Sequence, residues 1–309
     1  MERITKNNAL VLFDTYGRVL DLKECKIDDL DDIGTKKGRN LSRNQYLFLE
    51  NKRKKIEFDR KLGGYVHMAY VKNKLLFNEI GIERANISRL IYLSTFLDYN
   101  KNKEGMLVRY SQLREIIPLT KEEIFKLLKL SDRTFRAFIK DVKDCNLLYE
   151  VDKKFYLNTD YFNKGENSFN DKEYTRIYIK TTRELYENTS PINHKRLSYI
   201  FQLIPKLHYD TNILLHNPDV INIDIDNKMT LKDICEFLKV SHEGGNGRKF
   251  LKDLLKFNIK IDGITSYFFK YIIVEGGDGM SDYFVVNPQV IWSGNDMDVA
   301  KNILEKLFF

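Results

Sequence analysis

The chain repeats itself, and that repeat limits what it can fold into more than any other feature. Residues 119–131 read LTKEEIFKLLKLS and residues 229–241 read MTLKDICEFLKVS. Residues of the same class recur at most positions, and Thr120/Thr230, Lys129/Lys239 and Ser131/Ser241 are identical. Four more pairs follow the same order: Val66–Lys72 with Tyr174–Lys180, Arg89–Tyr92 with Arg196–Tyr199, Phe138–Val142 with Phe250–Leu254, and Phe155–Asn158 with Phe284–Asn287. Gly165 and Gly294 each lie seven residues after the Asn of the last pair. Self-similarity in a fixed order sets the domain plan before any motif is weighed. The offset drifts through 108, 107, 110, 112 and 129 residues, as insertions into loops of equivalent units would make it drift.

Each unit has the grammar of a helix-turn-helix followed by a hairpin. Thr120 with Glu123 three residues on is a capping-box pattern. Ile124, Leu127 and Leu128 recur at helical spacing, and Ser131 is placed to cap the next helix. In that second helix Phe135, Phe138, Ile139 and Val142 form one apolar stripe, and Arg133, Thr134, Arg136, Lys140 and Lys143 occupy the other face. The expected fold is α+β and mainly helical: an N-terminal hairpin and basic extension over 1–62, then two tandem winged-helix units over 63–165 and 166–309. The polar stretch 164–171 is the expected linker. Leu10–Phe13 and Arg18–Leu20 flank a Gly17 turn and predict the N-terminal hairpin.

Charge separates the two units. Residues 1–165 carry 33 Lys and Arg against 24 Asp and Glu, and residues 166–309 carry 18 against 20, so the halves are +9 and −2. A basic half that also holds a helix-turn-helix points to nucleic acid. In such motifs the N-terminal part of the second helix meets base edges in the major groove. Arg133 and Arg136 are the candidate base readers, because a guanidinium suits bidentate contact with guanine. Thr134 suits a phosphate or a thymine methyl, Lys140 a phosphate, and Lys153 and Lys154 sit at the expected wing tip. Basic runs at Lys36–Arg43 and at Lys52, Arg53, Lys54 and Lys55 are candidate backbone contacts. Solvated surface charge is the plain alternative for each run.

The second unit departs from this pattern. Gly244, Gly245 and Gly247 fall where bases would be read, and glycine weakens a helix there. Asn246, Arg248 and Lys249 remain as candidate phosphate contacts. The hairpin around Gly276–Met280 has an acidic tip, which suits a partner or dimer contact better than DNA.

The order of hairpin, strand, long helix, LSDRTF, NLLY and YLNTDYFNKG over about residues 10–165 resembles the winged-helix replication initiators of Gram-positive plasmids and phages, the RepL family in particular. The resemblance implies binding of double-stranded DNA at repeated origin sites, recruitment of host replication proteins, and recognition through Arg133, Thr134, Arg136, Lys140 and the wing lysines. A plasmid or phage transcriptional regulator, or a segregation adaptor, uses the same parts. Neither an enzyme nor a cofactor is expected: no paired carboxylates, metal-ligand spacing or nucleophile constellation stands out. Tyr156 and Tyr161 lack the histidine pair that a metal-dependent nicking tyrosine needs, and suit packing. Three dispersed cysteines and the absence of a long apolar run or a leader pattern point to a cytoplasmic chain with no membrane partner. A homodimer fits the reading.

Overall fold

The computed structural model describes residues 12–13, 19–20, 43–69, 80–99, 105–165, 174–276 and 279–309. Residues 1–52 form one compact unit and residues 53–309 another. In the first, β1 (Leu12–Phe13) and β2 (Val19–Leu20) pair antiparallel, giving the hairpin expected there. Helix α1 follows (Arg43–Lys61). The larger unit continues with β3 (Tyr65–Ala69), α2 (Arg84–Ser94), β4 (Val108–Tyr110), β5 (Ile116–Pro118), α3 (Lys121–Leu128), α4 (Asp132–Asp144), β6 (Leu148–Val151), β7 (Lys154–Leu157) and β8 (Phe162–Asn163). Then come β9 (Tyr174–Tyr178), α5 (Ile179–Glu187), α6 (His194–Gln202), α7 (Leu231–Phe237), α8 (Asn246–Leu254), β10 (Asn258–Ile261), β11 (Ile264–Tyr267), β12 (Phe269–Gly276), β13 (Gly279–Val286), β14 (Ile291–Trp292) and α9 (Met297–Ile303). The chain is α+β, with helices and small antiparallel sheets. Among the described residues no helix is long and apolar enough to cross a membrane.

The caps read from the sequence form. Thr120 accepts from the Glu123 backbone and Glu123 returns a bond to the Thr120 N–H, and Thr230 and Asp233 do the same for α7. Lys129 and Lys239, the residues at which the turns leave α3 and α7, both take φ 52°, a left-handed conformation that ends a helix sharply.

One sheet of four strands holds the larger unit together, in the order β14-β9-β3-β8. Its middle pair is antiparallel, with His67 opposite Arg176, Val66 opposite Ile177 and Met68 opposite Thr175. Met68 pairs with Phe162 of β8, and Ile177 with Ile291 of β14. The order therefore reads the same from either end once β3 is matched with β9 and β8 with β14, and the His67–Arg176 pair lies at the centre of that relation. Val66, Met68, Phe162, Ile177 and Ile291 are at most 1% exposed and alternate onto one face. The matching residues of the two inner strands are 109 apart, one more than the 108 that the sequence alignment uses. Alternation gave no guide there, because both faces of β9 are buried.

The same hydrogen bonds are made twice along this unit. Leu107 donates to the Phe155 carbonyl (2.8 Å) and Leu214 to that of Phe284 (3.0 Å); Leu157 donates to Gly105 (2.7 Å) and Val286 to Asn212 (3.0 Å). Asn158 donates to Leu147 and Asn287 to Phe268, and Val108 to Phe96 and Leu215 to Lys206. A Cβ on Gly165 would lie 3.2 Å from the Tyr99 carbonyl oxygen, and one on Gly294 3.1 Å from that of Tyr209, although Gly294 is hemmed in first by the Trp292 ring at 2.6 Å. Leu147 and Phe268 thus hold like places in this bonding pattern, and the β10–β11 hairpin lies between α8 and β12. Helices α2 and α6 pack on each other: the Ser88 hydroxyl donates to the His194 carbonyl (3.1 Å), and Arg89 Nε to His194 Nδ1 (3.3 Å).

Candidate nucleic-acid interface

Helix α4 is built to present one face. Ser131 accepts from the Thr134 N–H at 3.3 Å, so the helix starts at Asp132. Phe135, Phe138, Ile139 and Val142 are buried, and Phe138 and Val142 are completely so. Behind the helix, Asp141 accepts from the Glu83 N–H (3.1 Å) and from Asn86 Nδ2 (2.6 Å), which fixes α4 against the start of α2. Its other flank is held by α3, through the Phe125–Phe135 ring contact at 5.1 Å. With both flanks fixed, Arg133, Arg136 and Lys140 are exposed on a rigid surface.

The other residues expected at this site are placed unequally. Thr134 is half-buried, and its hydroxyl lies 2.8 Å from that of Ser131, so it belongs to the cap. Arg136 is held back toward the helix start by an ion pair with Asp132, a residue the sequence reading did not single out. Lys143 binds Glu150 of β6 at 2.8 Å, and its ammonium lies 5.7 Å from the centre of the Phe155 ring. That lysine braces the hairpin. Lys153 and Lys154 are exposed at the β6–β7 turn, where Asp152 and Lys153 take φ 49° and 63°. Paired left-handed residues suit the tight turns that follow the twist of a hairpin. Tyr149 and Tyr156 stack along this hairpin, with ring centres 5.3 Å apart. At the start of α3, Glu123 has its carboxyl below the usual range, chiefly through the Thr120 N–H and also through Arg109 at 2.6 Å.

The basic run on α1 has other partners. Lys54 binds Asp298 at 2.8 Å, and Lys55 donates to Asn295 at 3.1 Å, both in the C-terminal segment. Nearby, the Phe58 ring meets Tyr178 edge-on, and the Tyr178 hydroxyl donates to Asp59 at 3.0 Å. Lys52 and Arg53 are exposed. Of the run Lys36–Arg43 only Arg43 is among the described residues.

In the second half, Gly244 and Gly245 lie in a left-handed turn ahead of α8 and do not interrupt it. Gly247 is inside the helix, where a Cβ would meet the His242 carbonyl at 3.2 Å, so glycine lets the helix start against its own turn. Phe138 and Phe250 are both buried; in that register Arg136 and Lys140 correspond to Arg248 and Lys252, all exposed. Lys252 stands opposite Lys140 in the pair Phe138–Val142 with Phe250–Leu254. Lys249 is exposed on the flank of α8 that faces α6. The tip of the β12–β13 hairpin at 277–278, expected to be acidic, lies outside the described residues. Among the described residues no group of three or more His, Cys, Asp or Glu could hold a metal.

Such a surface offers cations on a stiff helix and a cationic hairpin tip, which suits a polyanion with grooves. No protein-family model matches the chain, and neither does any curated protein or solved structure.

Proposed function

We propose that this chain binds double-stranded DNA in a sequence-specific manner, that residues 63–165 and 166–309 are winged-helix units derived from a duplication, and that it initiates replication of a plasmid or phage at repeated origin sites. The recurring hydrogen bonds support the duplication. One observation carries the DNA reading: α4, capped by Ser131, buries Phe135, Phe138, Ile139 and Val142 and exposes Arg133, Arg136 and Lys140 on the other face. Helices that read the major groove need that division. Replication follows from the RepL-like order of elements, which also implies host replication proteins as partners, with DNA binding rather than catalysis as the chain's role.

Arg133→Ala with Arg136→Ala is the test. Selection of bound DNA from a random library should return an enriched motif with the parent chain, and origin-like iteration of that motif supports initiation. The double variant should keep its circular dichroism and thermal midpoint, since both side chains are exposed, and lose the motif. Each good bidentate contact discriminates by about 1–3 kcal/mol, so the loss of two should reach at least about thirtyfold. Equal affinity of parent and variant for the selected motif would remove α4 as the reading helix.

A further inference from the structure

A groove of about 590 Å³ runs between α6 and α8. Its floor is apolar: Tyr199 and Phe250 meet edge-on at 5.5 Å, and Leu254 and Val240 line the space beside them. Its rim is cationic, with Lys195, Arg196 and Lys249. Asp253 is the acidic residue of the lining, and its charge is shared between Arg196 (3.4 Å) and Lys256 (3.0 Å). At one end Ile192, on a short 3-10 turn (Pro191–Asn193), is 88% exposed.

The first half uses the matching position differently. Asp141, the counterpart of Asp253, is turned inward onto the start of α2, where it accepts from Glu83 and Asn86. In the second half, the 3-10 turn precedes α6 and the aspartate pairs with Arg196 of the rim and with Lys256 instead. The matching aspartates are thus turned to different ends, Asp141 onto α2 and Asp253 onto the rim of the groove.

We propose that this groove docks an acidic amphipathic segment of a protein partner. Two properties select that occupant. The exposed isoleucine and the aromatic floor call for apolar side chains, which a nucleic-acid backbone does not have. The excess of rim cations calls for carboxylates, although the half of the chain that carries them is net negative, at 18 Lys and Arg against 20 Asp and Glu. Apolar anchors entering a groove with charge-matched flanks are a recurrent mode of helix recognition. The proposal does not depend on DNA binding by α4.

The test pans a phage-displayed random peptide library on the full chain, then measures the synthesised best peptide by fluorescence polarisation. The expected peptides carry two or more large apolar residues flanked by Asp or Glu. Ile192→Asp and Lys195→Glu, two exposed positions away from α4 and the β6–β7 hairpin, should each weaken binding about fivefold or more, as truncating an anchor or a facing charge does. A peptide with lysines in place of its acids should fail to bind. A random DNA duplex should not displace the peptide. Absence of acidic-apolar enrichment, affinity unchanged in both variants, or displacement by the duplex with loss of duplex binding in Lys195→Glu would each overturn the proposal, and the last would assign the groove to nucleic acid.

Discussion

Replacing Asp132 by asparagine separates two things that the first turn of α4 does at once. The carboxylate sits at the helix start, where a negative charge is favourable, and holds Arg136 one turn on. Both effects are modest in solvent. An exposed i,i+4 pair is worth about 0–1 kcal/mol, and a charge at a helix N-terminus about 0.3–1 kcal/mol. With side chains 74% and 63% exposed, the lower half of each range applies. The variant should therefore lose about 0.5–1 kcal/mol of stability, or about 1–4 °C in thermal midpoint for a unit of this size. DNA binding should move the other way. A neutral amide in place of the carboxylate would no longer repel phosphate, and Arg136 would be released to reach it. Unit charges about 4 Å apart in water interact by about 1 kcal/mol, which is about fivefold in affinity. The salt dependence should steepen by up to about 0.9 in log–log slope, as one more phosphate is neutralised. Calorimetry and a salt-titrated polarisation assay read the two quantities on one preparation. Affinity that is unchanged or falls along with stability would show that Arg136 does not face DNA.

Two further perturbations address the hairpin and the interior. Lys153→Glu with Lys154→Glu should weaken binding to every sequence and lower the salt slope by about 2, while the selected motif stays the same; an unaltered slope would remove the hairpin from the interface. Burial, then the Arg176 and Lys55 charges, push the His67 imidazole down to about 3, and burial followed by Arg89 pushes His194 down to about 4. Both rings are neutral in the fold, while their unfolded counterparts titrate near 6.5. Their contribution to stability is therefore complete above pH 6.5 and is lost as pH falls toward 4 and then 3. The loss runs at about 1.4 kcal/mol per pH unit for each proton taken up. In urea unfolding between about pH 6.5 and 4, His67→Gln should flatten that dependence by about one proton, and an identical slope would exclude the assignment.

What could be read from the chain beforehand was mostly local. The capping box at Thr120, the apolar stripe of α4 and the N-terminal hairpin all rest on residues a few positions apart, and local geometry decides them. Gly165 and Gly294 both lie near a backbone carbonyl, but what first excludes a Cβ from Gly294 is the Trp292 ring, which the spacing alone does not contain. Long-range partners were not legible. Lys54 and Lys55 read as candidate phosphate contacts or solvated charge, yet their partners, Asp298 and Asn295, lie about 240 residues away. Arg176 is 1% exposed, at a position in an alternating pattern where a charged residue normally marks the solvent side. Its guanidinium instead donates through Nε and Nη2 to the carbonyls of Trp292, Ser293 and Gly294, partners that no pattern places inside. The flank of α8 that carries Lys249 follows from how α8 lies on α6, and the helix sequence alone does not contain it.

The His67–Arg176 pair at the middle of the central sheet has an evolutionary consequence. In a dimer of two identical chains, a residue on the symmetry axis must face its own copy. Two arginines there would bring like charges together inside the protein, and two histidines would leave the strand end at Trp292–Gly294 without its donor. One continuous polypeptide escapes that constraint. Its two halves can place different residues across the axis, cannot dissociate on dilution, and can change one side without forcing the same change on the other. On the proposed duplication, the β10–β11 hairpin and the different partners of Asp141 and Asp253 are the kinds of difference that such freedom permits.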